Sequence, residues 1–305
     1  MRRSADAIGD IGAAPAKRRR NLVIVRAGDT SLHPMWLQGA QDRSWDLLVS
    51  YFGDDSQKYR GPNILRVDGK GPKWPALKSL INSHWDYIGQ YDYIWLPDDD
   101  IACRNRDIER LFALTREYRL ALSQPALRLD SYFSWVVTLR NPLLRMRFVN
   151  FVEIMVPCFE REFLARCLPH MSENLSGWGL DHLWADMLRS QRRRMAIIDA
   201  APVTHTRPLG AANYRFLRDR GLTAHDEAAS FKRAHALGDT IIKTEAAVTI
   251  GGLHVERGSI VLAALLRWGY RYAVARAYAL RRAFRWELGK RARVAIASPF
   301  EFEEW

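Results

Sequence analysis

Between residues 21 and 206, short apolar runs of strand length alternate with longer stretches whose apolar residues recur at helical spacing. No other feature limits the fold as strongly, because alternating strands and helices bury their apolar faces by packing helices on a sheet. Leu22–Val25, Trp45–Phe52, Asn63–Val67, Tyr91–Leu96, Leu120–Ser123, Phe151–Val156 and Met195–Ile198 read as strands. Trp74–Trp85 reads as a helix with Pro75 in its first turn. Ile108, Leu111, Phe112 and Thr115 mark the face of a second helix, capped by Asn105. Glu162–His170 and Leu180–Leu188 are two more. Beyond residue 206 the pattern weakens, and residues 240–256 read as a hairpin or a loose connector around Gly251-Gly252. In open α/β sheets ligands gather beyond the carboxyl ends of strands, so the residues just after each strand are the ones to search.

The net charge of +12 suggests a nucleic-acid binder until it is located. Residues 1–20 carry +4, residues 257–293 carry +9 and the last twelve carry −3, leaving only +2 for residues 21–256. The positive charge belongs to the two ends and need not serve the body's substrate. No nucleic-acid motif is present, and no nucleic acid is expected as a partner. Three cysteines at irregular spacing form no disulfide framework or zinc pattern, which fits a reducing cytoplasm with the thiols as small core residues. No run of about 18 apolar residues predicts a membrane span. The first residues lack the apolar stretch of a signal peptide and read as a flexible leader.

Asp98-Asp99-Asp100 directly follows the apolar run Tyr93–Leu96. Adjacent carboxylates repel one another unless a cation offsets them, and Mg²⁺ or Mn²⁺ is commonly held by one or two carboxylates together with substrate phosphates. Alternation along an extended segment lets Asp98 and Asp100 face one site while Asp99 points elsewhere. A solvated acidic turn is the plain alternative. Gly177-Trp178-Gly179-Leu180-Asp181-His182 permits a tight turn that presents an indole face, which suits a sugar ring, just before a helix. Asp181 there is a general-base candidate, or merely a helix-start residue favoured by the dipole. In Val203–Pro208, His205 is a candidate metal ligand and Arg207 a candidate phosphate contact, with a hydrogen-bonded structural histidine as the alternative. His33 has the same ambiguity with less support. Lys73 and Lys78 could meet a diphosphate as point charges or lie solvated, and Arg26 is better placed, at the end of the first strand, to reach a nucleotide.

These motifs, in their order, resemble one family. Asn21–His33 (NLVIVRAGDTSLH), the strand with its three aspartates, Ser123–Leu127 (SQPAL), Phe151–Pro157 (FVEIMVP), the GWGLD turn and Val203–Pro208 are similar to a plant and bacterial domain of unknown function regarded as glycosyltransferase-like. The resemblance covers residues 21–210. It implies a GT-A-like α/β fold, a Rossmann-like nucleotide-diphospho-sugar transferase sheet flanked by helices, spanning residues 21–240. A basic leader (1–20) precedes it, and an extension (241–305) with a basic helix follows. In that fold an Asp-x-Asp motif binds metal and sugar-nucleotide, which implies metal and donor roles for Asp98 and Asp100. A C-terminal histidine ligand matches His205. The acceptor-side motif, often Gly-Trp-Gly-x-Glu-Asp, is similar to Gly177–His182, but the usual aspartate base falls at His182, with Asp181 one place earlier. Either could serve as base.

The implied enzyme moves a sugar from a nucleoside diphosphate to an acceptor hydroxyl with Mn²⁺ or Mg²⁺. Arg26, Asp98 and Lys73 would lie on the donor, and Trp178 and Arg207 on the substrates. A non-catalytic nucleotide- or glycan-binding module docked on a membrane is the alternative, and a metal-dependent phosphohydrolase a weaker one. From Ser259 to Trp286 the chain reads as one helix with Arg267, Arg271, Arg281, Arg282 and Arg285 within an arc of about 100°. Leu262, Leu265, Leu266, Trp268 and Tyr272 oppose them, although Arg276 breaks the pattern. Such a helix either lies on an anionic leaflet, placing the chain peripherally on the inner face of the cell membrane, or packs its apolar stripe on the domain.

Overall fold

The structure, a computed structural model, describes residues 18–208, 217, 219–238 and 240–283, without side chains at 273, 274 and 276–283. The leader up to residue 17 lies outside the described residues, as do Arg285 and the side chains of Arg276, Arg281 and Arg282. The strands are β1 (Asn21–Ala27), β2 (Trp45–Tyr51), β3 (Ile64–Asp68), β4 (Tyr93–Trp95), β5 (Ile101–Ala102), β6 (Leu122–Leu127), β7 (Leu144–Val149), β8 (Cys158–Glu160), β9 (Met195–His205), β10 (Thr244–Thr249) and β11 (His254–Glu256). The α-helices are α1 (Lys73–Ser83), α2 (Trp85–Ile88), α3 (Asn105–Glu117), α4 (Arg161–Cys167), α5 (Leu180–Leu188), α6 (Ala224–Ala234) and α7 (Ile260–Ala283).

The sheet runs β11-β10-β7-β9-β6-β8-β4-β1-β2-β3, with β5 paired to β9. The mixed α/β sheet flanked by helices that a GT-A-like domain requires is present. Strands β3, β2, β1 and β4 are parallel, β8 is antiparallel to both of its neighbours, and β6 and β9 again run parallel to each other. All seven residues of β1 are buried, as expected of a strand covered on both faces. Its side chains alternate between two cores. Leu22 and Ile24 pack with Trp74, Leu77 and Leu80 of α1 and Leu183 and Trp184 of α5. Val23 and Val25 pack with Ile108, Leu111 and Phe112 of α3.

Three local expectations are corrected. The helix expected over Trp74–Trp85 breaks at His84, whose backbone leaves the helical region, so α1 and α2 are separate. Asn105 does not cap α3: its Oδ1 accepts from the Trp45 indole at 2.9 Å, and the Asp107 carboxylate accepts the Arg104 backbone N–H instead. Phe151–Val156 is a buried loop between β7 and β8 rather than a strand. Its apolar character reflects burial, since Phe151, Val152 and Val156 are fully enclosed, while several of its polar groups bond outside any ladder. The alternative left open for residues 240–256 resolves as a hairpin, β10 with β11, that extends the sheet beyond β7. The three cysteines are free and buried.

Candidate active site

After β3 the chain crosses back over β1 to form β4, so successive connections leave β1 in opposite directions. Open α/β sheets bind their ligands in the crevice at such a switch point, beyond the carboxyl ends of the strands. Gly28 follows β1 there and Asp98–Asp100 follow β4. Asp99 ties the two together: one carboxylate oxygen accepts from Gly28 N at 2.9 Å and the other from Arg207 Nη1 at 2.9 Å. Arg207 also donates to the Thr30 carbonyl at 2.6 Å. The middle aspartate therefore joins the loops after β1, β4 and β9. Burial raises its pKa, against the Gly28 hydrogen bond and Arg207, while Asp100 and Asp98 add to the rise.

Asp98 and Asp100 turn to a different place. Together with His205 they present ligand atoms within 4.8 Å of one another. Asp100 and His205 are buried, and His205 Nε2 lies 3.1 Å from Asp100 Oδ2. The backbone fixes this meeting, because Ile101 of β5 pairs with His205 of β9 and Thr206 donates from both N and Oγ1 to the Asp100 carbonyl. His205 Nδ1 lies 2.9 Å from the Tyr132 carbonyl. Donation there puts the proton on Nδ1 and leaves the Nε2 lone pair for a cation, the usual way a protein orients a histidine ligand. Burial opposes charge on this imidazole, but the Asp100 hydrogen bond and the charges of Asp100 and Asp98 outweigh it and raise its pKa. Two carboxylates and an oriented imidazole form a donor set that fits Mn²⁺ or Mg²⁺.

One cation touches this group, and a second lies on β1. Lys73, at the start of α1, places Nζ 2.5 Å from Asp98 Oδ1 and donates to the Ile154 carbonyl at 3.3 Å. Arg26, near the end of β1, is buried and donates to Ser50 Oγ and the Gly71 carbonyl, yet its Nε has no hydrogen-bond partner. Burial lowers its pKa to about 10. Lys78 lies elsewhere, bonded to the Pro169 carbonyl and Ser172 Oγ. His33 is buried against Ser31 and Tyr59, and burial lowers its pKa to about 4, a structural position.

The GWGLD turn is held by Asn174, which accepts from Gly177 N and donates to the Trp178 carbonyl, and by Glu227 of α6, which accepts from Leu175 and Ser176 N. Gly177 (φ +80°) has no room for a side chain: a Cβ there would stand 2.0 Å from Trp74 Cδ1. Trp178 is half-buried, its ring edge-on to His225 at 4.9 Å. Asp181, in the first turn of α5, is buried, and burial raises its pKa to about 7 against backbone hydrogen bonds from His182 and Gly179. His182 takes another direction. Its Nδ1 lies 2.8 Å from Thr240 Oγ1, and it lines a cavity of about 290 Å³ with Asn150, Arg189 and Arg192, whose walls include none of Asp98, Asp100, Asp181 or His205.

One carboxylate escaped the sequence reading. Glu153, in the Phe151–Val156 loop, is buried with its Oε2 unpartnered. Burial raises its pKa to about 7; a Ser134 hydrogen bond and His205 work against the rise, and Asp181 and Asp98 add to it. It thus lies within electrostatic reach of the base candidate and of two metal-ligand candidates. A lone glutamate inside an apolar run is the signal that could have found it, since ionisable groups are rarely buried without cause.

Residues 67–149 match the model of a family described as a protein of unknown function, DUF707. The expected likeness to a domain-of-unknown-function family holds over this segment, which contains Asp98–Asp100 and Ser123–Leu127. No curated protein matches the chain. Among solved structures it is similar to a protein described as a nucleotide-diphospho-sugar transferase of Desulfovibrio desulfuricans G20 (11% identity, 70% of this chain, 98% of that chain, TM-score 0.38). It is also similar to GalNAc-T7 solved with UDP, GalNAc and Mn²⁺ (8% identity, 71% and 51% coverage, TM-score 0.47) and to a mycobacterial protein (14% identity, 73% and 76% coverage, TM-score 0.44). What the site can do is decided by its own geometry.

Proposed function

We propose that the chain is a metal-dependent glycosyltransferase that moves a sugar from a nucleoside diphosphate to an acceptor hydroxyl. The observation that carries this reading is the convergence of Asp98, Asp100 and His205 beyond the carboxyl ends of β4 and β9, beside the switch point of the sheet. Asp98, Asp100 and His205 would hold Mn²⁺ or Mg²⁺. Bound there, the cation offsets the negative charge that grows on the departing diphosphate. Arg26, with an unused buried N–H, serves the anionic or polar part of the nucleotide. Lys73 can pass from Asp98 to the diphosphate when the cation takes the carboxylate, a shift that flexible lysine side chains allow. Arg207 braces the crevice through Asp99.

Asp181 is the better base of the two candidates. Its pKa near 7 suits proton transfer at neutral pH, whereas the His182 imidazole is engaged with Thr240. Trp178 offers its indole to the acceptor. Calorimetry with UDP tests the donor half: binding should require Mn²⁺ and vanish in Asp100→Ala. Equal binding with and without the ion would exclude the assignment. Donor hydrolysis in the presence of Mn²⁺, lowered in Asp181→Asn, separates an enzyme from a binding module.

Among the described residues no helix is long and apolar enough to cross a membrane. Helix α7 supports a peripheral attachment to the anionic inner leaflet of the cell membrane. Its Leu262 is buried against Leu144, Ala247 and Val255, while Trp268 and Tyr272 stay exposed and stacked at 5.3 Å beside the exposed Arg267 and Arg271. Indole and phenol rings beside guanidinium groups suit the headgroup region.

A further inference from the structure

A second group of metal-ligating side chains lies apart from the crevice. His170 ends the short 3-10 helix Leu168–His170, Glu173 follows in the next turn, and His235 terminates α6. The Glu173 carboxylate is gripped from both sides: Oε1 lies 2.6 Å from His170 Nδ1 and Oε2 lies 2.5 Å from His235 Nε2. The two imidazoles meet edge to face with centroids 5.1 Å apart, and all three ligand atoms fall within 4.8 Å of one another. We propose that His170, Glu173 and His235 form a structural zinc site that clamps the segment carrying the Gly177–Asp181 turn onto α6.

Three observations support a cation of this kind. Two imidazoles and one carboxylate are a donor set suited to zinc, softer than the two carboxylates and one imidazole of the crevice. His235 stands at the C-terminal end of α6, where the helix dipole favours positive charge. The site is also half-open, with side-chain exposures of 31%, 37% and 18% for His170, Glu173 and His235, so an ion can enter and water can complete its coordination. Zinc binds both imidazoles in their neutral form, so the proton each directs at Glu173 must leave that nitrogen. Each gives its ligating nitrogen's lone pair to zinc and keeps a proton on the other nitrogen.

The clamp would act on a segment already tied at other points. Lys78 of α1 holds the Pro169 carbonyl and Ser172, and Glu227 of α6 holds Leu175 and Ser176. A metal linking positions more than 60 residues apart would fix α6 over Gly179, whose Cβ position lies 2.8 Å from Phe231 Cδ1. This site stands independently of the glycosyltransferase reading.

The test uses the full chain carrying Asp100→Ala, which removes the crevice as a competing site. Zinc chloride titrated by calorimetry should bind with one ion per chain and raise the melting temperature, because a ligand of the native state stabilises it by mass action. Cobalt(II) should give visible absorption bands that zinc abolishes. Adding His170→Ala or His235→Ala should weaken zinc binding by about tenfold or more, since even losses of outer-shell partners reach that size. Circular dichroism without metal should be unchanged, which separates lost binding from lost folding. No zinc binding to the Asp100→Ala chain, or binding that both histidine substitutions leave intact, would overturn the proposal.

Discussion

Glu153 shows how a single side chain joins the site to the stability of the fold. Burial favours its neutral form in the native state and so lifts its pKa from the ordinary value of 4.5 to about 7. A carboxyl raised in this way binds more protons folded than unfolded between those values. The stability it allows is therefore present at low pH and lost as pH rises through that window. Asp181, raised from 3.8 to about 7, acts in the same sense. In metal-free buffer the chain should lose stability between about pH 4.5 and 7, measured by urea unfolding. Glu153→Gln should flatten that slope and stabilise the chain at pH 8 by an amount on the order of a few kcal/mol. A variant as pH-sensitive as the parent would show that Glu153 is ionised at no cost. At this scale much of the candidate site was legible: adjacent aspartates after an apolar run suggested a cation, and the structure brings Asp98 and Asp100 to His205. Glu153 was only half legible: a lone glutamate in an apolar run signals a buried carboxyl, but only the tertiary fold shows where it points.

Among the elements, apolar patterning missed β5, β7, β8 and α6, and β7 shows why. Its sequence, Leu-Arg-Met-Arg-Phe-Val, carries two arginines, and one of them, Arg147, is fully buried. That guanidinium makes a two-point contact with Asp199 of β9, at 2.8 and 2.9 Å, and donates to the carbonyls of Val137 and Leu139 and to the Tyr270 hydroxyl of α7. A buried charge is tolerated when every donor is matched, and sequence periodicity has no means of anticipating a partner 52 residues away. Arg147→Met should strand the Asp199 carboxylate and cost about 3–5 kcal/mol in urea unfolding. Adding Asp199→Leu should restore a good part of that loss, since an apolar pair of similar volume often replaces a buried ion pair without penalty. Helices α1 and α5, by contrast, were legible to within a residue or two because their apolar faces follow helical spacing without interruption.

Across the whole molecule, the nearly neutral body and the basic end meet through α7. If the helix rests on a leaflet, Arg267→Glu together with Arg271→Glu should abolish flotation with anionic vesicles at low salt, and raised salt should have the same effect on the parent. Equal recovery of both proteins would remove the membrane contact. The sheet gives that contact a direction. Strand β11, which leads into α7, lies at one margin of the sheet, and β1 and β2, with Arg26 and Ser50, lie toward the other. Seven interstrand steps of about 4.8 Å separate β11 from β1, a span of roughly 30 Å. On the proposed transferase reading with α7 on a leaflet, an activated sugar from the water side and an alcohol presented by the bilayer would approach the carboxylates from opposite flanks, and neither would have to pass the other on its way in.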